Sequence, residues 1–462
     1  MKATPEPNIE VPLEAEDFNM RYVILVSIVA ALGGLLFGFD TAVISGTIPF
    51  ITPYFDLDEL SLGWAVSSIL IGCAVGALLA GRLADAYGRR WLLFVCAALF
   101  ALSGVGVALS DRLWIFVGFR LVGGLGVGAA AVVSPMYIAE VVPSAWRGRL
   151  VSLYQLAIVS GILLAYIVNF LLADLGENNW RWMFATQAAP AVAFFGMLWL
   201  VPETPRWLVK VGRPTDAERV LTRIGGVAFS RREINQIQNS FRHDAATSDY
   251  SLLFSRRYRP ILWIGVWIAV FQQITGINAI LYYAPVIFEQ TGLDTSNSLL
   301  QTIGIGVVNV LSVFLAISLV DRVGRKRLLW LGSLLMGVSL LAVSLCFYYE
   351  YFANYLVLLF MVLYVGAFGC TLGAVTWVYL SEVFPNRIRG LAMSAATLAL
   401  WLADFVVTYA FPIMTERLGT SATLLTYAFF CALSFGYVLT NVPETKGKSL
   451  EEIEKSFVPQ TI

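Results

Sequence analysis

Long apolar stretches separated by short polar segments extend over almost the whole chain. A helix needs roughly 20 apolar residues to cross a hydrocarbon layer about 30 Å thick. Backbone groups inside lipid must be satisfied within the segment, so these stretches are expected to be helices rather than isolated strands. The pattern predicts twelve membrane helices, at about residues 22–48, 62–84, 91–110, 114–139, 150–172, 181–201, 260–289, 298–320, 328–350, 353–381, 390–415 and 421–442.

The composition agrees with a membrane protein. Of 462 residues, 58% are hydrophobic and 13% are charged, whereas soluble domains average about 45–50% and about 25%. The net charge is zero, which gives no indication of nucleic-acid binding. The single histidine and the five isolated cysteines lack metal-ligand spacing. We therefore expect an all-α membrane protein with no metal and no cofactor.

The loops alternate in charge along the chain. One set is basic, with Arg89 and Arg147 in the first half of the chain and Arg325 and Arg389 in the second. The other set carries acidic residues around 56–59, at 289–294 and at 350. Basic loops accumulate on the cytoplasmic side of membrane proteins. The pattern predicts a multi-pass protein of the cell membrane with both termini in the cytoplasm.

Three charged motifs occur twice, about 240 residues apart, as expected for a transporter built from repeated halves. The pairs are GRLADAYGRR at 81–90 with SLVDRVGRKR at 318–327, Glu140…Arg147 with Glu382…Arg389, and PET at 202–204 with PET at 443–445. Halves of this kind rock about a central site. An enzyme has no need of the symmetry, and the chain has no paired histidine ligands, nucleophile motif or phosphate loop.

The repeat divides the chain into five segments. They are a disordered cytoplasmic tail at 1–21, a six-helix half at 22–204, a cytoplasmic linker at 205–259, a second six-helix half at 260–442, and a cytoplasmic tail at 443–462. Apolar residues recur at helical spacing within the charged linker, for example at Ile234, Ile237 and Phe241. This predicts short amphipathic helices lying against the cytoplasmic face. A disordered linker is the alternative.

The repeated charged residues predict a latch on the cytoplasmic side. Oppositely charged side chains at matching places in both halves could hold helix ends together in the outward-facing state and separate on inward opening. The predicted members are Asp85, Arg89, Glu140, Arg147, Asp321, Arg325, Glu382 and Arg389. Plain anchoring by positively charged loops is the alternative interpretation.

Three amides, Gln272, Gln273 and Asn278, lie in one predicted helix, where their spacing places them on overlapping parts of its surface. Each amide offers donors and an acceptor, which suits sugar hydroxyl groups. Trp377 and Trp401, with tyrosines 282 and 283, could cover the apolar faces of a sugar ring. Such a mixture is typical of pockets for small polar ligands. Hydrogen bonding between helices is the alternative role.

Asp40 lies midway along the first predicted span, and Arg120 lies in the fourth. Ionisable residues at such depth are costly and are usually functional. We interpret the two as partners whose changing distance or hydration would alter the proton affinity of Asp40. A static ion pair that only orders the helices is the alternative.

Several motifs together resemble the sugar porter branch of the major facilitator superfamily over nearly the whole chain. They are GGLLFGFDTAVISG at 33–46, the two basic loop motifs, PETPRW at 202–207 and QQITGIN at 272–278. The string around Asp40 resembles most that of bacterial D-xylose:proton symporters. The resemblance implies sugar contacts from Gln155, Gln272, Gln273, Asn278, Asn309 and Trp377.

The same resemblance implies proton symport, because the symporters of the family carry aspartate at the position of Asp40 and animal facilitative carriers carry asparagine. Four positions depart from the pattern: Ile162 and Leu400 replace glutamines, Ala374 replaces a proline, and Asp404 replaces an asparagine. Because of these departures, the sequence does not decide whether the sugar is a pentose or a hexose. Asp404 is a second candidate, after Asp40, for a carboxylate that takes up a proton.

The resulting hypothesis is a proton-coupled sugar symporter that works by alternating access. Its expected partners are a monosaccharide, a proton and the lipid bilayer, without an obligatory protein partner. A passive sugar facilitator and a transporter-like sugar receptor remain as alternatives, although a receptor would be expected to carry a longer cytoplasmic tail. Drug export would leave the amide cluster poorly explained.

Overall fold

The structure is a computed structural model that describes residues 18–243, 253–256, 258–353, 355–385 and 388–447. Within these residues every regular element is a helix and none is a strand. The predicted tails at 1–21 and 443–462 lie mostly outside this part of the chain. The all-α fold class is therefore confirmed.

The first half contains seven helices that make six spans. Two short helices, α6 and α7, follow one another and together form the sixth span. The helices are α1 (Met20–Tyr54), α2 (Glu59–Tyr87), α3 (Arg89–Ala108), α4 (Leu113–Val141), α5 (Ser144–Leu172), α6 (Asn179–Ala185) and α7 (Ala188–Met197).

The second half has the same plan with more interruptions. Its helices are α10 (Arg259–Ile274), α11 (Ile277–Glu289), α12 (Thr295–Val323), α13 (Arg325–Tyr348), α14 (Leu356–Phe368), α15 (Ala374–Val383) and α16 (Arg389–Asn441). A π-helical segment, Gly369–Gly373, joins α14 to α15 in the tenth span. The seventh span consists of α10 and α11.

The last helix, α16, contains two spans. It has 53 residues and would extend about 80 Å at the usual rise of 1.5 Å per residue, far more than a bilayer core of about 30 Å. Gly419, with φ 82° and ψ 159°, interrupts it. This glycine lies between the predicted spans 390–415 and 421–442, so α16 provides the eleventh and twelfth spans on its two sides.

The segment between the halves is helical where it is described. It contains α8 (Pro205–Lys210) and α9 (Pro214–His243), and α9 is broken at Gly225 and Gly226. It packs on the basic end of the first half, where Arg223 lies 4.7 Å over the Tyr22 ring and Lys210 pairs with Asp85 at 3.0 Å. These contacts attach the linker to the first half.

Glycines allow close contact between helices near the centre of the first half. A Cβ on Gly38 of α1 would lie 1.9 Å from the Ile158 carbonyl oxygen of α5, and one on Gly161 would lie 2.1 Å from that of Leu35. Such close approach needs small residues, as is usual for helices packed within membranes. The packing holds the middle of α1, which carries Asp40, firmly against α5.

The two halves meet toward the side of the acidic loops. The Tyr166 hydroxyl of α5 donates to the Leu281 carbonyl of α11 at 2.8 Å. At the start of α2, a Cβ on Gly63 would lie 2.5 Å from the Tyr409 carbonyl oxygen of α16, and the Trp64 ring lies 6.1 Å from that of Phe405. These contacts bring the halves together at the ends of the helices that lie opposite the basic loops.

Candidate functional site

A buried ion pair lies in the middle of the first half. Arg120 Nη1 of α4 donates to Asp40 Oδ1 and to the Asp40 carbonyl oxygen of α1, both at 3.0 Å, and both side chains are 1% exposed. Arg120 Nη2 lies 3.5 Å from the Val66 carbonyl oxygen of α2. The pairing inferred from the sequence is therefore present, and one arginine joins three helices.

The pair is only partly satisfied by hydrogen bonds. Asp40 Oδ2 and Arg120 Nε are buried and have no hydrogen-bond partner among the described residues. Asp40 Oδ2 points at Gly123, where an added Cβ would lie 2.8 Å from it. The absence of a side chain at 123 therefore makes room for the carboxyl group, a role that the sequence did not indicate.

The seventh span is not one continuous helix, contrary to the prediction for 260–289. Gly276 adopts the left-handed conformation, with φ +94°, between α10 and α11. A Cβ there would lie 2.7 Å from the Tyr427 ring, so both the conformation and the space favour glycine. The break places Gln273 and Asn278 on two different short helices. The sequence had predicted that they share one helix surface, so that prediction is corrected here.

Asn278 joins two other polar side chains across this break. Its Nδ2 donates to Gln273 Oε1 at 3.0 Å and to Asp404 Oδ2 of α16 at 2.7 Å. Asp404 is 1% exposed, and its Oδ1 accepts from Thr408 Oγ1 at 3.2 Å. Gln273, Asn278 and Asp404 thus form one hydrogen-bonded group, which we call the central polar cluster.

Gln272 faces the tenth span instead. Its Nε2 donates to the carbonyl oxygens of Leu372 at 3.1 Å and Gly373 at 3.4 Å. These carbonyls belong to the π-helical segment, where the irregular backbone offers acceptors to a neighbouring side chain. In this structure the amide nitrogen of Gln272 therefore links two helices of the second half.

The remaining predicted sugar contacts lie on different helices. Trp401 is buried one turn before Asp404, its ring lies 6.0 Å from Phe37 of α1, and its Nε1 has no acceptor among the described residues. Asn309 is buried in α12, and Gln155 is half-buried in α5. Trp377 is 36% exposed on α15. Of the predicted residues, the structure joins Gln273 and Asn278 directly and places Trp401 beside their partner Asp404.

On the side of the basic loops, the first half has a compact charged cluster. Arg89 pairs with Glu140 at 3.0 Å and with Asp85 at 3.0 Å. Glu203 accepts from the backbone N–H groups of Arg89, Arg90 and Thr204 at 2.8–3.2 Å. Burial raises the pKa of the Glu203 carboxyl, while these hydrogen bonds oppose the rise.

The second half repeats this arrangement. Arg325 pairs with Glu382 at 2.8 Å. Glu444 accepts from four backbone N–H groups, those of residues 325, 326, 445 and 446, at 2.9–3.2 Å. The sequence showed Glu203 and Glu444 as members of the repeated PET motif but did not indicate that they bind the first backbone N–H groups of α3 and α13, respectively.

Two arginines of the predicted latch do not join these clusters. Arg147 is exposed, and Arg389 Nε donates to the Phe384 carbonyl at 3.1 Å. Neither forms an ion pair with Glu140 or Glu382 within the part of the chain that the structure describes. The side chain of Asp321, the eighth predicted member, lies outside what the structure describes.

Comparison with known proteins agrees with this architecture. The family model described as sugar (and other) transporter matches residues 26–457. The arabinose-proton symporter of Bacillus subtilis (strain 168) is 40% identical, over 99% of this chain and 100% of the relative. The D-xylose-proton symporter of Escherichia coli (strain K12) is also 40% identical, over 96% of this chain and 97% of the relative.

A solved structure is similar over nearly the whole chain. The inward open conformation of the xylose transporter XylE from E. coli superimposes with a TM-score of 0.85 at 38% identity, covering 94% of this chain and 100% of that one. The match confirms the major facilitator fold, and the family model confirms a transporter rather than an enzyme. The chain belongs to the sugar (and other) transporter family.

Proposed function

We propose that the protein is a proton-coupled sugar symporter that works by alternating access. The observation that carries the proposal is the buried Asp40–Arg120 pair of the first half, whose atoms lie 3.0 Å apart. The central polar cluster of the second half supports it. Relatives named as arabinose-proton and D-xylose-proton symporters match the chain at 40% identity. The proposed cargo is a pentose or a hexose together with a proton.

Proton coupling is assigned to Asp40. Ionised Asp40 interacts with Arg120, which stays charged in proteins, and a proton on the carboxyl group weakens that attraction. The unpaired Oδ2 gives the proton a place to bind. Protonation therefore loosens a contact that ties α1 to α4. Through this contact, the proton would change the balance between the inward-facing and outward-facing states.

The sugar site is assigned to the space between the halves, beside the central polar cluster. Gln273 Nε2 and Asn278 Oδ1 make no hydrogen bond to other described residues, so a donor and an acceptor are available to hydroxyl groups. Trp401 adds an indole N–H and an apolar face. Gln155, Gln272, Asn309 and Trp377 are the further proposed contacts.

We propose that the basic loops, the linker and both termini face the cytoplasm and that the protein resides in the cell membrane, because basic loops remain on the inner side. The residue ranges 22–204 and 260–442 are the proposed rocking units, with tails at 1–21 and 443–462 and the linker at 205–259. Each chain would contain a complete path through the bilayer, so no obligatory protein partner is needed.

The structure is assigned to an inward-open state. The halves contact each other toward the acidic loops, and the similar XylE structure is described as inward open. In the outward-facing state, we expect Arg147 and Arg389 to join Glu140 and Glu382 and complete the latch. Their separation from these carboxylates here is what an open latch requires.

The test compares accumulation with exchange in proteoliposomes. Asp40→Asn should abolish uptake of radiolabelled sugar against its gradient when a proton gradient is applied, while exchange of labelled for unlabelled sugar continues. Asp58→Asn is the matched control, because Asp58 is exposed at the start of α2 and asparagine can keep its hydrogen bond to Ser61 N. Proton-driven accumulation by Asp40→Asn would refute the assignment. Downhill uptake by the wild type without accumulation would indicate a facilitator.

A further inference from the structure

Asp404 has an environment that differs from that of every other carboxylate described above. It is 1% exposed, and its two oxygens contact only an amide N–H and a hydroxyl. Among the described residues no arginine or lysine lies within ion-pair distance of it. A buried, unpaired carboxylate is costly, and such a group usually becomes neutral rather than stay ionised.

The groups that face Asp404 from neighbouring helices do not replace a cation. Cys73 of α2 and Tyr282 of α11 lie within electrostatic range of its carboxyl group, and both are neutral or anionic side chains. Tyr283 of α11 donates to the carbonyl of Thr408 at 3.3 Å. Arg120, a buried arginine of the first half, is bonded to Asp40.

We propose that Asp404 is a neutral carboxylic acid that keeps its proton through the transport cycle and positions Asn278 for sugar binding. The inference rests on the proposed function, because it assigns a role within the proposed sugar site. With a proton on Oδ1, Asp404 donates to Thr408 Oγ1, and Oδ2 acts as the carbonyl oxygen that accepts from Asn278 Nδ2. A hydroxyl oxygen can serve as donor or acceptor, so the 3.2 Å contact fits this direction equally well.

This protonation state satisfies the cluster without leaving a net charge. Both N–H bonds of Asn278 are then used, one on Gln273 and one on Asp404. The carbonyl oxygen of Asn278 and the amino group of Gln273 are held side by side for a sugar. Asp404 is therefore a positioning residue that acts through Asn278, and its proton is not the transported one.

Ionisation of Asp404 would disturb the site. The charge would be buried without a cation, and it would strengthen the pull on Asn278 Nδ2 and so shift the amide from the position that it holds beside Gln273. Alkaline pH should therefore weaken sugar binding. Above the pH at which Asp404 ionises, sugar binding must be accompanied by the uptake of one proton, so the affinity falls by about tenfold per pH unit.

Infrared difference spectroscopy tests the protonation state without a sugar. At neutral pH, the spectrum of the wild type minus that of Asp404→Asn should contain the C=O stretching band of a protonated carboxyl group. The same subtraction with Asp58→Asn should show only carboxylate bands, because Asp58 is exposed. Loss of only carboxylate bands in Asp404→Asn would overturn the proposal.

Calorimetric titration with D-xylose and with D-glucose tests the positioning role. Wild-type affinity should fall as the pH is raised above neutral, whereas Asp404→Asn should keep its affinity over the same range because its amide is neutral. Asp404→Ala should bind weakly at every pH, since it cannot hold Asn278. An equal fall in the wild type and Asp404→Asn would overturn the role. If the wild type binds neither sugar while the infrared band is present, the protonation state stands and the proposed sugar function fails.

Discussion

The two halves of the protein each bury one carboxylate in the middle of a span, and the surroundings of the two differ. Asp40 in the first half faces the guanidinium of Arg120 at 3.0 Å. Asp404 in the second half faces Asn278 and Thr408, which are neutral. The charged pair can change its strength when a proton arrives. The neutral group has no such partner and instead orients the side chains that we assign to the sugar.

The charged clusters near the basic loops show the opposite relation. Arg89, Glu140 and Glu203 in the first half correspond to Arg325, Glu382 and Glu444 in the second, with the same kinds of contact. Both halves must open and close at this end, so each half has the same geometry there. At the centre the two buried carboxylates have different roles, and the two halves no longer match.

The largest expected effect comes from removing the cation of the first half. Arg120→Ala would leave Asp40 buried without its partner and should lower the free energy of unfolding by about 3–5 kcal/mol. Asn278→Ala, the equivalent deletion beside Asp404, removes a neutral donor and should cost about 1–3 kcal/mol. Chemical unfolding of the purified variants in mixed micelles measures both. Equal losses would contradict the difference between the two carboxylates.

A smaller effect is expected from filling the space beside Asp40. In Gly123→Ala, the new methyl group would lie 2.4 Å from Ser103 Oγ and 2.8 Å from Asp40 Oδ2, so the carboxyl group must move. We expect proton-driven accumulation to fall several-fold while exchange is less affected. Gly118→Ala on the same helix is the matched control, because nothing lies within 4 Å of its added Cβ. Unchanged accumulation in Gly123→Ala would show that the position of the carboxyl group is not critical.

The smallest effect should be shared by the two halves. Gly88 and Gly324 have φ of +102° and +100°, and an added Cβ would lie 2.3 Å from Glu203 Oε2 and 2.7 Å from Glu444 Oε2, respectively. Both have ψ of 155°, a backbone conformation that is essentially limited to glycine, so alanine at either position should destabilise the protein by about 1–2 kcal/mol. Gly81→Ala, with open space around it, is the control. A clear difference between Gly88→Ala and Gly324→Ala in unfolding would mean that the two clusters are not equivalent.

The number and order of the spans could be predicted because each requires only an apolar stretch of sufficient length. The partnership of Asp40 with Arg120 also followed from the sequence, since a charge at that depth needs a partner. The break at Gly276 could not be predicted from hydropathy, because one glycine with positive φ leaves the apolar pattern unchanged. The π-helical segment at Gly369–Gly373 was missed for the same reason.

Contacts between residues that are far apart in the sequence could not be predicted either. The sequence identified Asp404 as a departure from the family pattern, but its bond to Asn278 depends on how α11 packs against α16. The space that Gly123 provides for Asp40 likewise depends on the packing of α1 against α4. Repetition of Glu203 and Glu444 was visible, whereas the backbone donors they bind became apparent only in the folded helix ends.

The assignment of proton coupling to Asp40 can be tested by following sugar-evoked proton movement in proteoliposomes. Pentoses and hexoses would be added in turn to the wild type, Asp40→Asn and Asp404→Asn, while a dye reports the external pH. We expect proton uptake with at least one sugar in the wild type and in Asp404→Asn, at the same proton-to-sugar ratio, and none in Asp40→Asn. Proton uptake that survives in Asp40→Asn, or is lost in Asp404→Asn while sugar transport continues, would contradict it.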